Sequence, residues 1–425
     1  MTHRELPLGQ QVHAVLKGSG QDAAQQHAMQ LGEPALFDRV QAVALEEPVP
    51  SFLHSALCAM SLPVRRPADE TAPIIRQDGQ YTLVITPRPV LQRVNGQQQM
   101  SILGVPYGSL PRLVLIHIMS EAVRTRSRHI VLGSSFTDWM RRMGFKSISY
   151  GPRGSATLIR QQLDRLLACE WMIRWDNQNE KGDQEFAVKE VKLTNEYAGT
   201  NGKNGGFSRE ILLTEGFFEH LREHAVPLDE NAVRQLRDSA TSLDLYTWLS
   251  YRLPRIVKNR PTLLSWNQLA VHFGNDGNNI RKFRQTIRDA WERQVSAVYP
   301  EAKAEFDTAA IRLYASPAPL QRRPLRLAAV NAAPLPAPVA ADDDAQPVTV
   351  DFLSAFRAAI GETQAKLWLS DASLEYTEDG PALLVGSQFK ADYIRGTFGA
   401  DILRAAGACD LAKLPAVTSR KRVTR

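Results

Sequence analysis

Apolar side chains return every three or four positions through SATLIRQQLDRLLACEW (155–171), at Ala156, Ile159, Leu163 and Leu166, and that spacing predicts a helix with one buried face. The same period runs through NNIRKFRQTIRDAWERQVSAVY (278–299). At about 100° per residue Ile280, Phe283, Ile287, Ala290, Trp291 and Val298 share one face there. YGSLPRLVLIHIMSEAVRTR (107–126) predicts a helix, with Ser109 as cap, Pro111 in the first turn and a basic end. HIVLG (129–133) is a short extended piece, and SSFTDWMRRMG (134–144) a second helix closed by glycine. WMIRWDNQNEKGDQEFAVKEVKL (171–193) predicts two strands around a polar turn. YTLVITP (81–87) follows an Asp-Gly turn and predicts a strand, and QRVNGQQQM (92–100) holds an Asn-Gly hairpin turn.

Three helices followed by a two-stranded hairpin is the order of a winged helix, so the 171–193 hairpin is expected to be the wing of a first head. The order then returns. SLDLYTWLSYRLPRI (242–256), LSWNQLAVHFG (264–274) and the 278–299 segment predict three more helices, and AEFDTAAIRLY (304–314) a strand lining a second wing. The period exceeds about 100 residues, which indicates two related domains and not a solenoid. Upstream of Pro50 the chain is rich in Gln and Ala and predicts a weakly specified arm with one or two helices. From Ala315 to Val348 proline and alanine dominate, the composition of a semi-rigid solvated linker. The expected fold class is α+β: an arm (1–50), a first winged helix (51–205), a second (206–314), the linker (315–348), a small α/β interaction domain (349–416) and a basic tail (417–425).

The 425-residue chain carries a net charge of +6, and its location matters more than its size. Residues 101–320 hold 30 Lys/Arg against 24 Asp/Glu, whereas 1–100 hold 8 against 9 and 351–416 hold 6 against 9. A basic middle suggests a polyanionic partner. The three cysteines, Cys58, Cys169 and Cys409, are odd in number and far apart, so they supply neither a disulfide framework nor a zinc pair and suit a reducing cytoplasm. No run of about eighteen apolar residues is present, so no membrane partner is expected.

On the 280–298 helix Arg281, Arg284, Gln285 and Arg288 fall on one flank, with Lys282 and Arg293 on the other side and Asn278 and Asn279 at the entrance. Two readings fit: a solvated surface helix whose arginines pair with Asp289 and Glu292, or a helix lying in a DNA groove. Arginine forks match guanine or phosphate, and Asn or Gln match adenine. RLPRIVKNRP (252–261) favours the second reading, because Arg252, Arg255, Lys258 and Arg260 come with no acid and could hold a phosphate backbone. The first head offers Lys146, Arg153, Arg160 and Arg165 in matching places.

Signals for chemistry are weak. GTNGKNGG (199–206) lacks the GxxxxGK[ST] spacing of a phosphate loop and predicts a connector. His220 and His224 stand four apart, a legal metal spacing, but lack a third ligand nearby in sequence. No GxSxG elbow is present, nor an HxH pair with a downstream tyrosine. The expectation is a binding protein without enzymatic activity, cofactor or metal.

Taken together, ALCAMSLPVRRPAD, GVPYGSLPRLVLIHIMSEAVRTRSRHIVLG and SFTDWMRRMG resemble RepA-type plasmid replication initiators, over about Ser51 to Tyr314. The resemblance implies tandem winged helices that bind direct repeats in double-stranded plasmid origin DNA, and local opening of the duplex. It also implies recruitment of host replication proteins, the replicative helicase and the host initiator DnaA among them, monomers on repeats and homodimers on the promoter of the initiator's own gene. Beyond the linker, FLSAFRAAIGETQAKLWLSDASLEYTEDGPALLVGSQFKADYIRGTF is similar to the N-terminal domain of DnaA. The likeness lies in Trp368 after a helix, two short strands around EDG, and Phe389, Asp392, Tyr393 and Ile394 in an F-x-x-D-aromatic-Ile pattern. It implies a partner surface that includes Trp368, Phe389 and Tyr393 and that contacts the helicase, although Phe389 equally suits core packing. Gln364 stands where that family favours an acid. A winged-helix transcriptional repressor without a replication role is the competing reading.

Overall fold

The computed structural model describes the chain except residues 1–5, 79–80, 95–96, 133, 146–148, 150–153, 179–183, 191–192, 202–206, 259, 275–278, 326–350 and, further on, 361–364, 366–368, 370–371, 378–379, 386–390, 392–393, 396–398, 410–413 and 420–425. It divides into two units, Met1–Val330 and Asn331–Arg425.

The larger unit opens with α1 (Leu8–Gln30) and α2 (Ala35–Ala44). These helices are not a loose arm. Val12, Leu16, Ala24, Ala28, Leu36 and Val40 are fully buried in a cluster that includes Ala297 near the end of the second head. Gly9 shows how close the approach is: a Cβ there would lie 2.2 Å from the backbone nitrogen of Ala297. β1 (Pro50–His54) and α3 (Ser55–Ala59) follow, then β2 (Ile74–Asp78), β3 (Tyr81–Pro87) and a separate hairpin, β4 (Pro89–Val94) with β5 (Gln97–Ile102).

The first head comprises α4 (Ser109–Thr125), β6 (His129–Leu132), α5 (Ser134–Arg142) and α6 (Ser155–Ala168). Gly108, at φ 81°, precedes α4 in place of a Ser109 side-chain cap. Next come β7 (Cys169–Gln178), β8 (Gln184–Glu190), β9 (Thr194–Asn201) and β10 (Phe207–Leu213). The 171–193 hairpin is not the wing. β7 pairs with β3, giving a four-stranded sheet β2-β3-β7-β8, while β6 pairs with β10 in a sheet β6-β10-β9. The wing is therefore β9–β10, with β7–β8 inserted ahead of it, and GTNGKNGG joins the wing strands; its 202–206 part lies outside the described residues.

α7 (Glu215–His224), β11 (Ala225–Asp229) and α8 (Glu230–Leu236) bridge to the second head. That head runs α9 (Ala240–Arg252), β12 (Thr262–Leu264), α10 (Trp266–His272), α11 (Ile280–Ala290), a π turn (Trp291–Val295), a helical turn α12 (Ser296–Val298), β13 (Ala304–Phe306) and β14 (Ile311–Leu313). Its sheet order, β12-β14-β13, repeats β6-β10-β9 of the first head. The expected single strand at 304–314 is thus a hairpin.

One continuous core runs through both heads, from Leu113, Ile130 and Leu163 to Trp248, Leu269, Ile287 and Ile311. Buried charge ties distant parts together. Arg112 on α4 donates to both carboxylate oxygens of Asp244 on α9, at 2.6 and 2.7 Å. The stretch read as the start of the linker belongs to this unit. Arg322 reaches Asp229 at 2.8 Å with both side chains buried, and the Leu325 amide donates to Ala44. The Pro/Ala composition does not free these residues, because their partners lie far back in the chain.

The smaller unit has α13 (Phe352–Ile360), β15 (Ser373–Thr377), β16 (Gly380–Val385), α14 (Gly399–Ala408) and β17 (Ala416–Ser419). β16 is central, antiparallel to β15 and parallel to β17, over a core of Phe352, Phe356, Leu383, Val385, Ile394 and Ile402. Trp368, Phe389, Asp392, Tyr393 and Gln364 lie outside the described residues.

Candidate nucleic-acid interface

The second head supplies the helix-turn-helix. Ser265 and Gln268 form a reciprocal capping box at the start of α10, and Asn279 caps α11 by accepting from the Lys282 amide at 2.9 Å. Ile287, Ala290, Trp291 and Val298 are buried as the spacing predicts, with Ile280 and Phe283 half-buried against the same core.

The cations of α11 divide into two sets. Arg281 and Lys282, in the first turn, are exposed, and no carboxylate among the described residues pairs with either. Gln285 is also exposed and donates to Asp289 at 2.9 Å, so Asp289 engages an amide and not an arginine. Glu292 accepts from the Leu8 amide at 3.0 Å, and Arg293 pairs with Glu33 at 2.9 Å. Arg284 and Arg288 turn towards the second wing. Arg284 Nη1 donates to the Thr308 carbonyl at 3.2 Å and Arg288 Nε to the Phe306 carbonyl at 2.9 Å. Both guanidiniums lie over Trp266, at 5.8 and 5.9 Å from the ring centroid, and Trp266 itself donates to the Asp307 carbonyl. The flank read as Arg281, Arg284, Gln285 and Arg288 is therefore split: Arg281 and Gln285 are exposed, whereas Arg284 and Arg288 fasten the wing.

The electrostatics suit an anion. Arg312 engages the wing acids Asp307 and Glu305, and Tyr314 donates to Glu305 at 3.2 Å. In the loop between α9 and β12, Arg255 stacks 4.3 Å from the Tyr251 ring and donates to the Tyr251 carbonyl. Lys258 and Arg260 are exposed. Arg252, Arg255 and Arg260 line an open cleft of about 460 Å³ that has no acidic side chain among the described residues of its wall. Lys258 and Arg260 also border a wider cleft of about 1080 Å³, lined as well by Glu292, Glu305 and, just ahead of β13, Lys303, a cation that the sequence pattern did not single out.

The first head is less available. Arg165 pairs with Glu70 at 2.5 Å and donates to the Val105 carbonyl, and Arg209 holds Asp164 at 3.2 Å. Burial still keeps the Asp164 carboxyl above the usual carboxylate range. Arg160 is half-buried, and Arg153 and Lys146 lie outside the described residues.

The histidines gain a neighbour that sequence spacing could not supply. His54, at the end of β1, lies 2.7 Å from His220 (Nε2 to Nδ1), and the His220 and His224 rings are 4.2 Å apart. Among the described residues, however, no group of three His, Cys, Asp or Glu side chains is placed to hold a metal ion. No described helix is long and apolar enough to cross a membrane.

No curated protein matches the chain. A solved structure described as domains 2 and 3 of RctB aligns with 61% of this chain and 96% of that one, at 12% identity and a TM-score of 0.39. Residues 105–268 match the family described as plasmid encoded RepA protein, from the approach to α4 into α10, so α11 and its wing lie beyond the matched segment. The likeness to RepA-type proteins is confined to residues 105–268.

Proposed function

We infer that the protein starts plasmid replication by binding repeated double-stranded sequences at the origin, with α11 of the second head in a major groove. What carries the reading is the pair Arg281 and Lys282. They stand in the first turn of the second helix of a helix-turn-helix, exposed and without a carboxylate partner among the described residues. In such motifs the N-terminal residues of that helix address base edges. The acid-free loop with Lys258 and Arg260 supplies phosphate contacts that set register. The role needs no catalytic residue, because opening the duplex draws on the free energy of binding and deforming DNA.

The 349–416 module, similar to the N-terminal domain of DnaA, is read as the part that brings in the replicative helicase. A tether of this kind raises local partner concentration to roughly millimolar without any new contact. Deleting residues 349–425 tests both halves of the reading. Origin affinity should stay within about twofold while plasmid maintenance is lost. Full maintenance after the deletion would favour a repressor, and nicking of supercoiled origin plasmid with Mg²⁺ would indicate an enzyme.

A further inference from the structure

Arg76 sits in the middle of β2, the edge strand of the β2-β3-β7-β8 sheet, and is only 4% exposed. Its neighbours Ile75 and Gln77 are exposed, so Arg76 turns to the opposite face of the strand with Ile74 and Asp78. That face meets the second head. The Arg76 guanidinium packs against Gly274, just past the end of α10, where an added Cβ would collide with its Nε and Cζ. Gly274 holds φ 57°, a left-handed conformation that glycine adopts without strain, and donates to the Val271 carbonyl at 3.2 Å. Arg76 Nε donates to the Ser61 carbonyl at 3.1 Å and Nη1 to the Ile75 carbonyl at 2.9 Å. Two further links lie beside it. The Ser61 amide donates to the His272 carbonyl at 3.3 Å, and an Asp78 carboxylate oxygen lies 3.4 Å from His272 Nδ1.

A buried cation loses its hydration, so it is weak evidence for stability by itself. What this one supplies is geometry. The guanidinium spans the Ser61 backbone and the end of α10, and so fixes the helix-turn-helix at the start of its turn. From there the hold passes to α11, because Phe273, next to Gly274, packs on Phe283 with ring centroids 6.4 Å apart. Phe283 stands in the first turn of α11 beside Arg281 and Lys282. The sheet is itself anchored in the first head: β3 pairs with β7, and α6 runs into β7 without a loop, from Ala168 to Cys169.

We propose that Arg76 is a positioning residue for DNA reading: from beneath the turn of the second helix-turn-helix it sets the angle at which Arg281 and Lys282 enter the groove. Arg76 itself lies too deep to meet a duplex. The proposal rests on the α11 reading above and gives the β2-β3-β7-β8 sheet a role in it, as the strut that holds the reading helix in place.

The test is a double-mutant cycle in the full chain. Arg76→Met, Arg281→Ala and the double variant are titrated by fluorescence anisotropy against an origin repeat and against random DNA of equal length. Titrations are run well below each melting temperature, with concentrations corrected for the active fraction. Arg76→Met should weaken binding to the repeat by about 5- to 150-fold, the range of one lost base contact. Binding to random DNA should change by less than about twofold and the salt slope should stay the same, because no phosphate contact is removed. In the Arg281→Ala background the same change should cost less, by at least about twofold, because the contact it misplaces is already gone. Arg76→Lys, which keeps the charge but not the planar fork, should fall between the wild type and Arg76→Met. Additive losses, or an equal fall on random DNA, would overturn the proposal. So would unchanged affinity for the repeat with a lowered melting temperature, the mark of a residue that only stabilises. Should Arg76→Met not fold, Asp78→Asn carries the same cycle, since it removes only the carboxylate charge beside His272. A wild type that does not prefer the repeat to random DNA overturns the α11 reading, whereas preference with additive losses removes the role of Arg76 alone.

Discussion

Arg281→Ala and Arg288→Ala, seven positions apart on one helix, should fail in different ways. Arg288 donates a charge-assisted hydrogen bond to the Phe306 carbonyl and lies over Trp266. Such a bond contributes about 1.5–3 kcal/mol and the ring contact about 0.5–1 kcal/mol. Truncation should therefore cost about 2–4 kcal/mol of stability. An unfolding entropy of about 2.1 cal/mol/K per residue gives about 0.7 kcal/mol/K over the Met1–Val330 unit. The loss then appears as a fall in Tm of about 3–6 °C, together with a loosened wing. Arg281 is exposed and pairs with no described carboxylate, so its removal should change stability by less than about 0.5 kcal/mol. In exchange it should weaken specific binding by about 1–3 kcal/mol, or about 5- to 150-fold, while binding to random DNA falls much less. Differential scanning calorimetry and fluorescence anisotropy on the same two variants separate the effects. If Arg281→Ala lowered Tm by 3 °C, or Arg288→Ala left Tm unchanged and lost only DNA affinity, the division of the cations would be wrong.

Lys258→Ala should weaken specific and random binding alike and reduce the slope of log affinity against log salt by about one unit, which a titration from 50 to 200 mM salt measures. Acid should destabilise the larger unit: burial lowers the pKa of His13 on α1 to about 4 and that of His117 on α4 to about 3. Both rings are neutral in the folded chain and protonate near pH 6.5 when unfolded, so the unfolded state binds more protons below that pH. Stability should be flat above about pH 7 and fall by about 1.4 kcal/mol per pH unit per histidine on acidification, ending near pH 4 for His13 and pH 3 for His117. Urea midpoints from pH 7.5 to 4.5 check this, and a midpoint that rises with acid contradicts it. Chains ending at residue 314 should be less stable than chains ending at 330 by about 3–5 kcal/mol. They leave Asp229 buried without Arg322, and equal denaturation midpoints would refute that assignment.

What could be read from the sequence was local. The core face of α11, β3 at Tyr81–Pro87 and the Asn-Gly hairpin follow from period and turn chemistry within a few residues of each other. Long-range pairing was not legible. Both β7–β8 and β9–β10 are hairpins, and only the partner of β6, some 80 residues downstream, decides which is the wing. The N-terminal helices gave little signal because several of their buried positions are Gly9, Ala24 and Ala28, residues chosen for close approach and not for apolar bulk. Arg322 looked like linker because its partner, Asp229, is 93 residues away. Arg284 and Arg288 share a flank of α11 with Arg281 and Gln285, but these two alone meet a wing that begins some twenty residues later.

The most direct measurement is a footprint of the full chain on the DNA flanking its own gene, repeated with Arg281→Ala/Lys282→Ala at equal protein concentration. Evenly spaced protection of direct repeats, with major-groove guanines shielded from methylation by the wild type and left open by the variant, is the predicted result. Protection no stronger than on random DNA, or identical shielding by the variant, would contradict the placement of α11 in a groove.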